Sequence, residues 1–139
     1  MAYNKFQKSI IKTIAEFHPN GIDVLFKELF QEIMEKNLEG CGIIMNESNI
    51  FINSNNFIED KSKIFELFFL FEYLIENNLF KFIESERTKK FFEKDYKYQI
   101  YSQENIIRIN LDTYTLNLIY NNLYSDFYIS TELKEIKKK

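Results

Sequence analysis

The chain contains no tryptophan, one proline, three glycines, one cysteine and one histidine. Each scarcity excludes something. A single thiol, Cys41, rules out an internal disulfide and a multi-cysteine zinc site. The sole imidazole, His18, precedes the second expected helix, and Cys41 follows it. About 15 helical residues separate the two by roughly 22 Å, so a His–Cys dyad within one chain is not expected. With so few breakers there is no linker, and one globular domain over residues 1–139 is expected. Phosphate-cradling glycine loops are also missing, since Glu39-Gly40-Cys41-Gly42 is too short and degenerate to be one. The densest apolar run, Ile64 to Ile75, is interrupted by Glu66 and Glu72 and falls short of the roughly 20 residues that cross a bilayer. The opening residues Met1-Ala2-Tyr3-Asn4-Lys5 lack the apolar core of a signal peptide. A reducing cytoplasm, with no membrane partner, is the expected setting.

What is present is aromatic. Of 139 residues, 17% are aromatic, all Phe or Tyr, and 45% are hydrophobic. Phe, Ile, Asn, Lys and Tyr are residues of A/T-rich codons, so an A/T-rich genome accounts for part of that share. The net charge of −3 gives no general attraction to nucleic acid or an anionic membrane. Acids dominate the first 60 residues, and bases gather at Lys81, Arg87, Lys89, Lys90, Lys94 and Lys97.

Apolar periodicity predicts a helix over residues 4–17, carrying Phe6, Ile10, Ile14 and Phe17 on one face. The turn residues His18-Pro19-Asn20-Gly21 end it. A second helix, opened by Asp23 or a neighbour, runs to Asn37 with Leu25, Leu29, Ile33 and Met34 inward. Gly40 or Gly42 supplies its exit. Residues 42–45 and 50–52 flank Asn46-Glu47-Ser48-Asn49 and read as a β-hairpin. A long helix from residue 58 or 61 to Asn77 is apolar almost all round, so it is expected at the centre. Residues 79–83, 98–101 and 106–109 read as strands. Asp112 is expected to cap a helix to Asn121, 127–129 to be extended, and Ser130 or Thr131 to cap a last turn. The class is α+β, with about four helices and short antiparallel strands.

Residues 74–83, Leu74-Ile75-Glu76-Asn77-Asn78-Leu79-Phe80-Lys81-Phe82-Ile83, resemble the end of a winged-helix domain's third helix passing into its wing. The pattern covers less than a third of the chain. It implies a winged-helix-like arrangement around a central buried helix as one option, with Lys89, Lys90, Lys94 and Lys97 as nucleic-acid contacts on the wing. A helix that reads DNA presents Arg, Lys, Asn or Gln. This one presents Phe65, Phe68, Phe69 and Phe71 with Glu66, Glu72 and Glu76, which repel phosphate.

No constellation supports catalysis. Glu28, Glu32 and Glu35 share a helix face and could meet a hard cation, but such a row is ordinarily solvated. No catalytic, cofactor or metal residue is assigned, and a non-enzyme is expected. The favoured reading is a protein–protein interaction module: an accessory subunit, adaptor or inhibitor, from a prokaryotic defence system or mobile element, with a protein partner or a homo-oligomer. Its candidate interface is Phe91, Phe92, Tyr96, Tyr98 and Tyr101, because aromatics anchor interface hot spots. The long helix also carries more large apolar side chains than one neighbouring layer covers.

Overall fold

Asn4 opens the first helix by a reciprocal cap. Its side chain accepts from the Gln7 amide at 2.8 Å, and the Gln7 side chain accepts from the Asn4 amide at 2.9 Å. The computed structural model describes residues 2–17, 24–83, 95–100 and 103–137. In chain order the elements are α1 (Lys5–Glu16), α2 (Phe26–Asn37), β1 (Gly42–Met45), β2 (Ile50–Asn53), α3 (Phe57–Glu76), β3 (Phe80–Ile83), β4 (Tyr96–Tyr98), β5 (Ile106–Ile109), α4 (Thr113–Tyr120), β6 (Asp126–Ile129) and α5 (Thr131–Lys137). The strands form antiparallel sheets and the class is α+β, as the apolar periodicities predict.

The start of α2 is satisfied from far along the chain. The Phe26 amide donates to the Ser125 carbonyl at 2.9 Å, and the Lys27 amide donates to the Leu123 carbonyl at 2.7 Å. A helix leaves its first N–H groups without helical partners. Here the turn between α4 and β6 accepts two of them, which fixes α2 against the C-terminal third. The Glu28 carboxylate also accepts from the Leu25 amide at 3.2 Å. Asp23, expected to open this helix, lies outside the described residues. Across the α1–α2 contact, Asn37 donates to Thr13 Oγ1 at 3.2 Å and accepts from Ser9 Oγ.

Gly40 has φ +81° and makes the exit from α2. Gly42 has a different role: a Cβ there would sit 2.0 Å from the Gln99 carbonyl oxygen. The absent side chain lets β1 approach the end of β4. The hairpin closes as expected, with the Asn46 side chain accepting from the Ser48 and Asn49 amides at 2.9 and 2.8 Å.

The sheets differ from the wing reading. One sheet has the order β4-β1-β2-β5, and the other pairs β3 with β6. β3 and β4, which stand at the two sides of the expected wing (79–83 and 98–101), therefore belong to separate sheets. The physical reason is side-chain pairing. Phe80 and Phe82 need an apolar cross-strand face and find Ile129 and Phe127 opposite them. Tyr96 and Tyr98 lie opposite Met45 and Ile43 of β1. The winged-helix resemblance thus does not extend to the topology. The later strand spans Tyr96–Tyr98, not 98–101, and Tyr101 lies outside the described residues.

The long helix does stand at the centre. Its buried residues Ile64, Leu67, Phe68, Leu70, Phe71 and Leu74 join one hydrophobic cluster with α1, α2, α4 and both sheets. It ends in paired reverse bonds: the Leu79 amide donates to the Leu74 carbonyl at 2.8 Å and the Asn78 amide to Ile75 at 3.1 Å. Asn78 takes the left-handed conformation, φ 58°. These are the bonds of a Schellman terminus, and they turn the chain directly into β3. Asp112 occupies the cap position of α4 without making a side-chain cap, whereas Ser130 caps α5 by accepting from the Leu133 amide at 3.1 Å.

The cluster's hub is Phe26. Its ring lies 5.2 Å from Phe71, 5.9 Å from Phe80, 4.7 Å from Phe82 and 6.1 Å from Phe30, with edge-to-face or tilted geometry throughout. Truncation there opens a cavity bordered by two helices and a sheet. Phe26→Ala should lose about 3–5 kcal/mol of about 5–15 in equilibrium urea unfolding. A loss below about 1 kcal/mol would contradict the hub assignment. Gly42→Ala should cost about 1–3 kcal/mol by overpacking, measured in the same way, and an unchanged midpoint would refute the close approach.

Candidate protein interface

α3 packs against neighbours on three sides. On one flank the Glu66 carboxylate accepts from Asn4 Nδ2 at 2.6 Å, Tyr73 meets the ring of Tyr3 at 6.2 Å, and the Lys63 ammonium sits over the Phe6 ring. On the other flank Thr115 Oγ1 of α4 donates to the Glu72 carboxylate at 2.8 Å. Between these flanks runs a stripe that faces solvent: Ile58, Ser62, Phe65, Phe69 and Glu76. Their 4-3-4-7 spacing keeps them on one helical line. Ile58 is 85% exposed and Phe69 48%, while Phe65 is partly buried. The Phe65 and Phe69 rings stack on one another, centroids 6.1 Å apart and planes 13° from parallel. The two phenylalanines thus cover part of each other's surface.

Of the five aromatic residues expected at the interface, Tyr96 and Tyr98 are described, and both pack toward α2. Tyr96 is a core residue, 1% exposed, with its ring 6.2 Å from Phe30 and its hydroxyl accepting from Gln31 Nε2 at 3.2 Å. It offers no anchor on this surface, because β4 turns it toward α2. Tyr98 is half-buried on the same face, and its hydroxyl donates to the Gln31 carbonyl at 3.4 Å. Phe91, Phe92 and Tyr101 lie outside the described residues. The signal for Phe65 and Phe69 was present in the sequence as the all-round apolar character of α3. It could not say which residues would be left over.

Among the proposed nucleic-acid contacts, Lys89, Lys90 and Lys94 lie outside the described residues. Lys97 is exposed on β4, directly opposite Ile44. The register continues that row through Phe51 to Arg108, so one cation stands at each edge of the sheet's outer face. Arg108 Nε is already held by Asn49 Oδ1 at 2.8 Å. Two of the three acids in the row on α2 are engaged: Glu28 caps its own helix, and Glu32 pairs with Lys36 at 2.9 Å. Among the described residues no three His, Cys, Asp or Glu side chains gather as a metal site, and no helix is long and apolar enough to cross a membrane.

A shallow cleft of about 400 Å³ separates α1, the end of α3 and α5, lined by Tyr3, Lys8, Tyr73, Asn77, Glu132 and Ile136 among others. Burial, and then the neighbouring Tyr73, raises the Tyr3 phenol above its usual range.

Cys41 is fully buried. Burial pushes its thiol up to about 12, with the Asp60 carboxylate adding to the rise and Lys63 opposing it. The neutral thiol is the nucleophile's inactive form. Folding holds the proton on, so the stabilising contribution is complete below the unfolded thiol's pKa of about 8.5. It is lost as pH climbs toward 12. Unfolding free energy should therefore fall more steeply above about pH 9 in the parent than in Cys41→Ala. Equal slopes would contradict the burial. Iodoacetamide should label Cys41 only in the urea-unfolded chain, and labelling of the folded chain at a free-thiol rate would do the same.

The chain matches no protein-family model, no curated protein and no solved structure.

Proposed function

We propose that the protein is a non-enzymatic protein-interaction module whose docking surface is the exposed stripe of α3. The observation that carries this reading is the stacked pair Phe65–Phe69, with Ile58 on the same line. A large apolar side chain left in water forfeits about 1.5–3 kcal/mol of burial, and neighbouring exposed apolar side chains mark contact sites on soluble domains. Aromatic anchors in such a patch supply much of an interface's binding energy. The stripe lies on a helix fixed by packing on its other sides, so little is lost to ordering when a partner docks. An accessory subunit, adaptor or inhibitor, of a prokaryotic defence system or mobile element, fits this reading. So does a location in the cytoplasm.

The reading is tested with a photo-reactive phenylalanine analogue placed at position 69, and at Tyr128 as an equally exposed control on β6. Cross-linking in the native cell should join position 69, and not position 128, to a protein. Phe65→Lys in the same chain should abolish that product while leaving the circular dichroism spectrum unchanged. Equal yields from both positions, or none from position 69, would defeat the proposal.

A further inference from the structure

Resting on that reading, we propose that the occupant of the α3 stripe is a second copy of this chain, packed antiparallel along the same helix. At the start of α3, Glu59 is paired with Lys63 at 3.1 Å and Asp60 is buried. That leaves Lys61 as the exposed charge without an ion pair among the described residues, opposite in sign to Glu76 at the far end. Lys61 is exposed beside Ile58 and Ser62 near the start of α3, 5.9 Å from the centroid of the Phe57 ring. Glu72 and Glu76 close the other end. Among the described residues neither Lys61 nor Glu76 takes part in an ion pair within the chain.

An antiparallel copy centred on residue 67 sets Phe65 against Phe69 of the second copy, and Phe69 against its Phe65. The two stacked pairs then form one four-ring cluster. The same register sets Ser62 opposite Glu72 and Ile58 opposite Glu76 of the second copy. Lys61 falls within one helical turn of both acids, on the flank of α3 that also carries Glu72. The interaction occurs twice by symmetry, as an isologous contact requires. A parallel arrangement would instead place both Glu72 and both Glu76 carboxylates side by side, and like charges across an interface are costly. The spacings of four, three, four and seven keep the heptad register of a coiled-coil seam, which suits helices crossing at a shallow angle. Opposed helix dipoles favour the same direction.

The contact is small. From Ile58 to Glu76 the stripe runs about 27 Å, and a helix presents a face roughly 10 Å wide. That is about a third of the roughly 800 Å² each partner buries in a standard interface. The dimer is therefore concentration-dependent, in the weak class.

Sedimentation velocity of the full chain, from micromolar to millimolar concentration, tests this. The parent should pass from 16.9 kDa toward twice that mass. Phe69→Glu should weaken association at least about tenfold. Lys61→Glu and Glu76→Lys, both at exposed sites, should each weaken it several-fold, and the double reversal should restore it to within about twofold of the parent. A parent that stays at one chain mass throughout would overturn the proposal. So would a dimer that ignores Phe69→Glu, or a double reversal no better than the singles. If the parent is monomeric while position 69 still cross-links to a different protein, the second copy is refuted and the interaction module stands. If both fail, both readings fall.

Discussion

The structure depends on one ring. Phe26 sits at the first turn of α2, and its edges and faces meet side chains of α2, α3 and β3. Its own amide bonds to Ser125, in the turn that leads into β6. A single residue thus joins α2, the central helix and the β3–β6 sheet. Edge-to-face rings are directional as well as apolar, so the hub fixes orientation along with contact. Once Phe26 is placed, Phe71 and Phe80 are held inward, 5.3 Å apart. α3 can then rotate little about its axis, and Phe65 and Phe69 are necessarily turned out.

This couples the core to the surface. α3 is apolar on most of its circumference, yet α1, α4 and the hub occupy only three sides. Polar flanks complete the fit, through Asn4–Glu66 and Thr115–Glu72. Among the described residues, the remaining line keeps Ile58 and Phe69 exposed. Lys61 and Glu76 at its two ends give that line a direction. The proposed interface is therefore a consequence of how the central helix is seated, rather than a feature added to it.

Most elements were legible in the sequence because local signals decided them. Asn46 with Asn49 specified the hairpin turn, and Ser130 specified the last cap. The pairing of distant strands was not legible. Residues 79–83 and 96–98 are both aromatic and strand-prone, and period-two patterning alone does not choose partners. Phe127 and Ile129, more than 40 residues beyond β3, made that choice. Phe26 was missed for a similar reason. It stands at the start of α2, beside the regular line of Leu29, Ile33 and Met34, and only the tertiary fold shows it as the hub. Tyr96 reads as an interface anchor because it is aromatic, whereas strand alternation turns Lys97 out and Tyr96 in.

The central claim is that Phe65 and Phe69 are solvent-facing in the isolated chain and covered in its working state. Hydroxyl-radical footprinting measures this directly. The account predicts that both rings are oxidised in dilute protein and lose reactivity in the assembled state, while Tyr128, 56% exposed on β6, reacts equally in both. Unreactive Phe65 and Phe69 in the dilute chain, or unchanged reactivity on assembly, would contradict it.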